Sequence, residues 1–241
     1  YLDVKYFKMK KLFTLLILSI SFNMSSQTGN TNYGTNALSD ISSGDYNAAF
    51  GYQSLENNTS GSHNTALGVS ALRTQTSGDY NTALGNFALY TNSSGYSNVG
   101  IGYYSLFTNT GNGNTAVGVR SLQENTTADY NTAFGYYSLR YNTTGGSNVA
   151  VGYLSLEDNT SGSYNTAIGL SSLGDNTTGN YNVAVGADAL DKNTTGYNNT
   201  AIGYEALEEN STGVWNTAIG LSSLGDNTTG YSNVAVGANA L

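Results

Sequence analysis

Apolar and small positions between residues 30 and 241 follow neither a helical period nor a plain alternation; they keep fixed places in one repeating unit. Its clearest form is Asn165-Thr166-Ala167-Ile168-Gly169-Leu170-Ser171-Ser172-Leu173-Gly174-Asp175-Asn176-Thr177-Thr178-Gly179. The glycine that closes the first half recurs from Gly34 to Gly237. The spacing is 17 throughout, except 16 between Gly102 and Gly118, where the turn Asn109-Thr110-Gly111 is one hydroxyl residue short. Leu stands four places after every one of these glycines, from Leu38 to Leu241. Phe, Leu, Ile or Val stands just before it, as in Phe50, Leu67, Ile101, Val117 and Ile202, with Tyr33 in the first unit. Two places before that stands Thr or Val, as in Thr65, Val99, Thr115 and Val183, with Ala48 once. Thr and Val share shape and β-branching, which predicts a half-buried strand position.

The Thr-Ala-Ile alternation has the period of a strand with two distinct faces. Asn-Thr-Thr-Gly is turn chemistry: Asn and Thr bond nearby backbone and Gly supplies positive φ. Each unit therefore predicts two short strands and two turns, and the density of Gly, Asn and Thr disfavours helix. One unit buries too little apolar surface to offset the entropy of ordering its backbone, so copies must stack. The expected fold is all-β, a β-solenoid (parallel β-roll) of about twelve 17-residue coils, making a rod roughly 58 Å long at a strand spacing of about 4.8 Å. In-register stacking would place the Asn before each Thr or Val (Asn64, Asn81, Asn98, Asn114) in a ladder of amides bonding along the stack. Asn165 to Gly179 recurs identically at Asn216 to Gly230, as duplication of a three-unit block would leave it. A shaft tolerates such insertion of whole units.

Two positions accept only small residues. One is the Ala between Thr and Ile (Ala66, Ala83, Ala133, Ala218, with Gly100 once, and Asn32 in the less regular first unit); the other, three after the glycine, is always Ala or Ser (Ala71, Ser105, Ser138, Ala206). Alternation puts the first opposite Ile and the second opposite Leu. Water alone would admit Lys, Glu or Thr there, so something must approach closely. The expectation is another copy of the chain, in a homotrimer; the alternative is a very flat roll whose own layers meet at Ala.

Asn182-Val183-Ala184-Val185-Gly186 and Asn199-Thr200-Ala201-Ile202-Gly203 resemble the Ser/Asn-Val-Ala-Ile-Gly core of YadA-like trimeric autotransporter adhesin heads. The longer form ending in Asn-Thr-Thr-Gly also resembles arrays in bacterial surface and tail-fibre-like proteins. The resemblance spans residues 30–241 and implies a trimerising parallel β-roll at a cell surface. The unit here is about three residues longer than the adhesin one.

Composition narrows the classes further. Charged residues are 10% of the 241, with 30 Gly, no Pro and no Cys, and the formal net charge is -8. Four of the eight basic residues, Lys5, Lys8, Lys10 and Lys11, lie near the N-terminus, leaving Arg73, Arg120, Arg140 and Lys192. No basic patch can neutralise phosphates, which argues against nucleic acid. Met9-Lys10-Lys11, the apolar run Leu12 to Ile20 and the small residues to Ser26 have the parts of a secretory signal peptide. That run is shorter than the roughly 20 residues needed to span a bilayer, so no transmembrane segment is expected. The expected organisation is an upstream non-native segment over 1–8, a signal peptide over 9–26, and a repeat domain over 27–241. The chain stops mid-repeat at Leu241, which suggests truncation.

Catalytic chemistry is hard to find. The lone His63 takes a turn position that holds Tyr, Ser or Trp elsewhere. Asp45, Asp79 and Asp129 precede that position, and with Glu208-Glu209 they read as a solvated rim. No carboxylate pair recurs at a fixed offset, no Ca-binding nonapeptide is present, and no helix follows the glycines to make a phosphate loop. Neither a catalytic residue, a cofactor nor a metal is expected, and the chain reads as no enzyme. Asn-x-Ser/Thr sequons at Asn125, Asn142 and Asn176 coincide with the turn motif. One stripe is less uniform: two places after the glycine, successive units carry Phe87, Tyr104, Arg120, Tyr137 and Leu154, where other units carry Gln53, Ser70, Ser171, Asp188 or Glu205. Acceptance of polar residues predicts an exposed site, and the bulky stripe is a candidate adhesive surface for glycan or protein on a host or neighbouring cell. The predicted role is a secreted, extracellular, non-catalytic structural and adhesive shaft of a cell-surface fibre. The alternatives are a phage-type tail-fibre shaft with a C-terminal chaperone domain, and an ice-binding solenoid with ranked Thr.

Overall fold

A computed structural model describes residues 28–241, so the segments expected as upstream sequence and signal peptide lie outside the described residues. Thirteen three-residue strands form one parallel sheet in chain order. They are β1 Thr31–Tyr33, β2 Ala48–Phe50, β3 Thr65–Leu67, β4 Thr82–Leu84, β5 Val99–Ile101, β6 Thr115–Val117, β7 Thr132–Phe134, β8 Val149–Val151, β9 Thr166–Ile168, β10 Val183–Val185, β11 Thr200–Ile202, β12 Thr217–Ile219 and β13 Val234–Val236. Pairing is in register: Thr65 lies beside Thr82, Ala66 beside Ala83 and Leu67 beside Leu84. The all-β solenoid of about twelve coils read from the repeat is the observed fold, and it contains no helix among the described residues.

Each unit supplies one strand, not the two expected. The second half is nonetheless hydrogen-bonded from coil to coil. Leu55 N–H donates to the Ala71 carbonyl at 3.0 Å and Asn57 N–H to the Arg73 carbonyl at 3.1 Å, while Gln53 N–H donates backwards to Thr35 at 2.9 Å. What breaks the strand is backbone conformation. From Leu38 to Leu224 the repeated Leu sits at φ between 49° and 52°, and the residue two places before it is also left-handed, as at Ser70 (φ 55°) and Phe87 (φ 60°). A left-handed L-residue costs roughly 1–2 kcal/mol. Fully burying a Leu returns about 1.5–3 kcal/mol, and Leu55 to Leu207 in this series are fully buried. Burial of the Leu therefore offsets strain of about the size that its own left-handed conformation costs.

The same corner explains the core. Alternation fails between the small position and Leu, so Ala71 and Leu72, expected on opposite faces, are both fully buried. On the strand alternation holds, with the middle Ala inward and its neighbours outward, as in β3 and β9. The interior is thus a row of Ala, a row of Leu and a row of Ala or Ser, all inside one chain. The small residues are required by the coil's own opposite wall. The flat-roll alternative is the observed one, and no second copy is needed to explain them. The glycine after each strand passes too close to the next coil for a side chain. At Gly85, φ is +138° and a Cβ would lie 2.6 Å from the Gly102 carbonyl oxygen.

Two Asn ladders line the remaining interior. In the first, expected from sequence, Asn64 N–H donates to Asn47 Oδ1 (3.0 Å) and Asn64 Nδ2 donates to the Gly78 carbonyl (2.8 Å). The second is made by the Asn of Asn-Thr-Thr-Gly, which turn chemistry alone placed in a loop. Asn142 Nδ2 donates to Asn125 Oδ1 (2.8 Å) and to the Gly145 carbonyl (2.9 Å), and Asn159 Nδ2 donates to Asn142 Oδ1 (2.7 Å). Asn125, Asn142 and Asn176 are fully buried, so these sequons are closed to modification in the folded rod.

Candidate binding surfaces

Outside the core the coil presents two unlike surfaces. The first is the outer face of the sheet. The first and third residues of each strand point outward, flanked by the residue before the ladder Asn and the residue after the glycine. None of the thirteen strands carries a charged residue. The flanking columns add Tyr46, Tyr80, Tyr130, Tyr164 and Trp215 on one side and Tyr52, Tyr103, Tyr136, Tyr153 and Tyr204 on the other, all exposed. In-register stacking makes ring ladders. His63 lies between Tyr46 and Tyr80 at centroid distances of 5.0 and 4.9 Å, and Tyr164 stacks on Tyr181 at 5.0 Å. His63 is therefore one rung of an aromatic column.

The second surface is the irregular stripe at the coil corner. Phe87, Tyr104, Arg120, Tyr137 and Leu154 are half-buried, not exposed as expected, because their left-handed corner lays each side chain along its neighbours. The structure adds a second column that sequence reading missed, with Tyr90, Phe107 and Arg140 three places further on. Phe87 meets Tyr90 at 5.8 Å and Tyr104 at 5.1 Å, and Tyr104 meets Phe107 at 4.6 Å. Arg120 lies 6.0 Å from the Tyr104 ring centroid and 5.8 Å from that of Tyr137, while Arg140 lies 4.2 Å from Tyr137 and 4.5 Å from Tyr141. The signal available in sequence was the shared offset of Tyr90, Phe107 and Arg140 within their units.

Electrostatics distinguishes the two guanidinium groups. Arg140 pairs with Glu157 at 3.6 Å, and its Nε is buried without a hydrogen-bond partner. Arg120 has only a long hydrogen bond to Tyr137 Oη, at 3.4 Å. The Tyr137 phenol is held below its ordinary value, first by its hydrogen bond with Tyr136, then by Arg120 and Arg140 against a burial effect of opposite sign. The same hydrogen bond and burial raise the Tyr136 phenol.

The acidic positions divide. Asp45, Asp79 and Asp129, expected as solvated rim, accept backbone N–H groups of the preceding coil through Oδ1: Thr28 at 3.0 Å, Ser62 at 2.7 Å and Asn112 at 2.7 Å. Units without Asp use Ser62 Oγ or Asn180 Oδ1 for the same bond. Near the C-terminal end Glu205, Glu208, Glu209 and Asp226 line an open acidic depression. Burial first, then its acidic neighbours, raises Glu208. Among the described residues there is no group of three His, Cys, Asp or Glu suited to a metal and no helix long and apolar enough to cross a membrane.

These features define a repeat protein of the parallel β-solenoid class. Comparison with family models, with curated proteins and with solved structures finds no match.

Proposed function

We propose that this chain is a non-catalytic structural and adhesive shaft on the outside of a cell, assembled as a homotrimer through the outer face of its sheet. The observation that carries the reading is the charge-free outer face, where a column of Leu, Ile, Val and Phe runs beside a column of Thr and Val, with exposed Tyr in the flanks. Its length is about 58 Å and its four columns span roughly 20 Å. That is on the order of 1,000 Å², comparable to the roughly 800 Å² per partner of a stable interface. The column of Leu, Ile, Val and Phe with its flanking Tyr makes up the apolar part of that face, and an apolar patch larger than a few hundred Å² marks an interaction site. The support for self-association thus rests on the Ile and Val side of the strand, where the sequence had pointed to the Ala side. The resemblance of Asn-Val-Ala-Val-Gly to adhesin heads supports both the threefold assembly and the surface location. The buried Asn ladders and Leu row give a rod whose every coil repeats the same contacts, as a load-bearing spacer requires.

The ice-binding reading has less support, because Val replaces Thr in β5, β8, β10 and β13 and bulky rings flank the strand. The test of location is antibody labelling of intact and permeabilised producing cells. Labelling of intact cells is expected; labelling only after permeabilisation contradicts the shaft reading.

A further inference from the structure

Four cations occur among the described residues, and three of them (Arg73, Arg120, Arg140) stand among the stripe's aromatic rings. Arg73 is held by Glu56 at 2.7 Å, Arg140 by Glu157, and the distant Lys192 by Asp191 at 2.7 Å and Asp175 at 3.3 Å. Arg120 alone forms no ion pair. It is kept in place by rings, between Tyr104 below and Tyr137 above, so its guanidinium is fixed without being neutralised. Arg140 also lies over the Tyr137 ring, at 4.2 Å, and has a buried Nε–H donor that nothing accepts. In a chain so acidic, Arg120 is thus the one guanidinium held beside aromatic rings with no carboxylate to neutralise it. The rings around it offer faces of partial negative charge, to which the C–H faces of a sugar are complementary.

We infer that this stripe binds an acidic polysaccharide, with Arg120 taking a carboxylate and the rings of Phe87 and Tyr104 taking the sugar faces. The inference rests on the reading of the rod as an exposed shaft. Planar carboxylate recognition is what a guanidinium does better than an ammonium. Size favours a polysaccharide over a folded protein. Four coil steps of about 4.8 Å and two rings abreast give on the order of 200 Å², well short of the roughly 800 Å² a protein partner needs. A linear polymer lying along the coil axis meets the column of rings one after another. Repulsion from the rest of the acidic rod is screened beyond about 8 Å at physiological salt.

The test is affinity electrophoresis of the full chain through gels holding polygalacturonate or neutral dextran, with the variants R120Q and K192Q. Gln53 already occupies the same corner at φ 57°, against 56° for Arg120, so R120Q is expected to keep its β circular dichroism. Retardation by polygalacturonate and not by dextran is expected, about tenfold weaker in R120Q, the loss of one charge-assisted contact, and unchanged in K192Q. No retardation by polygalacturonate, equal retardation by dextran, or equal binding of R120Q and the parent overturns the inference. Cell labelling separates it from the shaft reading. An intact-cell signal without polymer binding removes the ligand alone. Arg120-dependent binding by a protein found only inside cells removes the shaft and leaves the site.

Discussion

At the scale of the residue, two amides per coil hold the rod together, and each is placed where an error is costly. Asn142 satisfies the Gly145 carbonyl and bonds to the Asn on either side of it in the ladder. Removing its amide leaves Asn125 Oδ1 without its donor and takes one acceptor from Asn159 Nδ2, while the Gly145 carbonyl keeps Asn131; a buried group left without a partner costs about 1–3 kcal/mol. The rod also contains its own conservative replacement. Gln75 stands in the same ladder, donates to the Gly78 carbonyl at 2.9 Å and accepts from Asn92 at 3.2 Å. Asn142→Ala is therefore expected to destabilise by about 2–4 kcal/mol, and Asn142→Gln by clearly less, as measured by urea unfolding. Equal losses would show that ladder bonding is not what keeps Asn there. This second ladder was hidden in the sequence because Asn-Thr-Thr-Gly is fully accounted for by turn chemistry, which gives no reason to suspect burial. The first ladder was legible because its Asn interrupts a strand pattern without being a turn residue.

At the scale of the element, the coil is the unit of both structure and variation. Period, parallel stacking and the small interior positions could all be read from spacing. The single strand per unit could not, because Leu, Phe and Tyr at positive φ are rare conformations that only close packing sustains. The 16-residue coil shows how the unit tolerates change. In ordinary coils two successive N–H groups aim at one carbonyl, as Thr143 and Thr144 do at Thr160 (2.9 and 3.0 Å). In the short coil only Thr110 N–H remains, bonded to Thr126 at 2.7 Å, and the register recovers at once, with Val99 beside Thr115. The missing residue removes a redundant donor. It follows that deleting one whole coil, residues 165–181, should leave a cooperatively unfolding β protein, whereas deleting residues 165–172 should abolish cooperative unfolding. Circular dichroism melts decide it. Two similar melts would mean that register is not enforced by the ladders.

At the scale of the whole molecule, charge and apolar surface are segregated. Glu157, Asp158, Asp191 and Glu208 are all raised, in each case first by burial, and Asp191 stays raised despite Lys192 beside it. Glu56 is the exception. Hydrogen bonds from Arg73, Gln53 and Asn36 outweigh its burial and lower it. A carboxylate raised in the folded state binds protons before the unfolded chain does, so folding gains stability as pH falls toward the ordinary carboxylate range. Four raised groups against one lowered predict a thermal midpoint that rises from pH 7 to about pH 5, the opposite of common acid destabilisation. A midpoint that falls over that interval would show that Glu56-type pairing dominates. The stripe was legible as five unlike residues at one position, but its second column and the isolation of Arg120 depended on the left-handed corner, which sequence did not reveal.

The most direct measurement on the proposed shaft is the solution mass of residues 27–241 by light scattering, with circular dichroism on the same sample. A β-rich species of three times the chain mass is predicted, returning to single-chain mass when the outer-face residue Ile168 is changed to Glu. A β-rich species of single-chain mass at tens of micromolar would contradict it, leaving the charge-free face of the sheet without its partner.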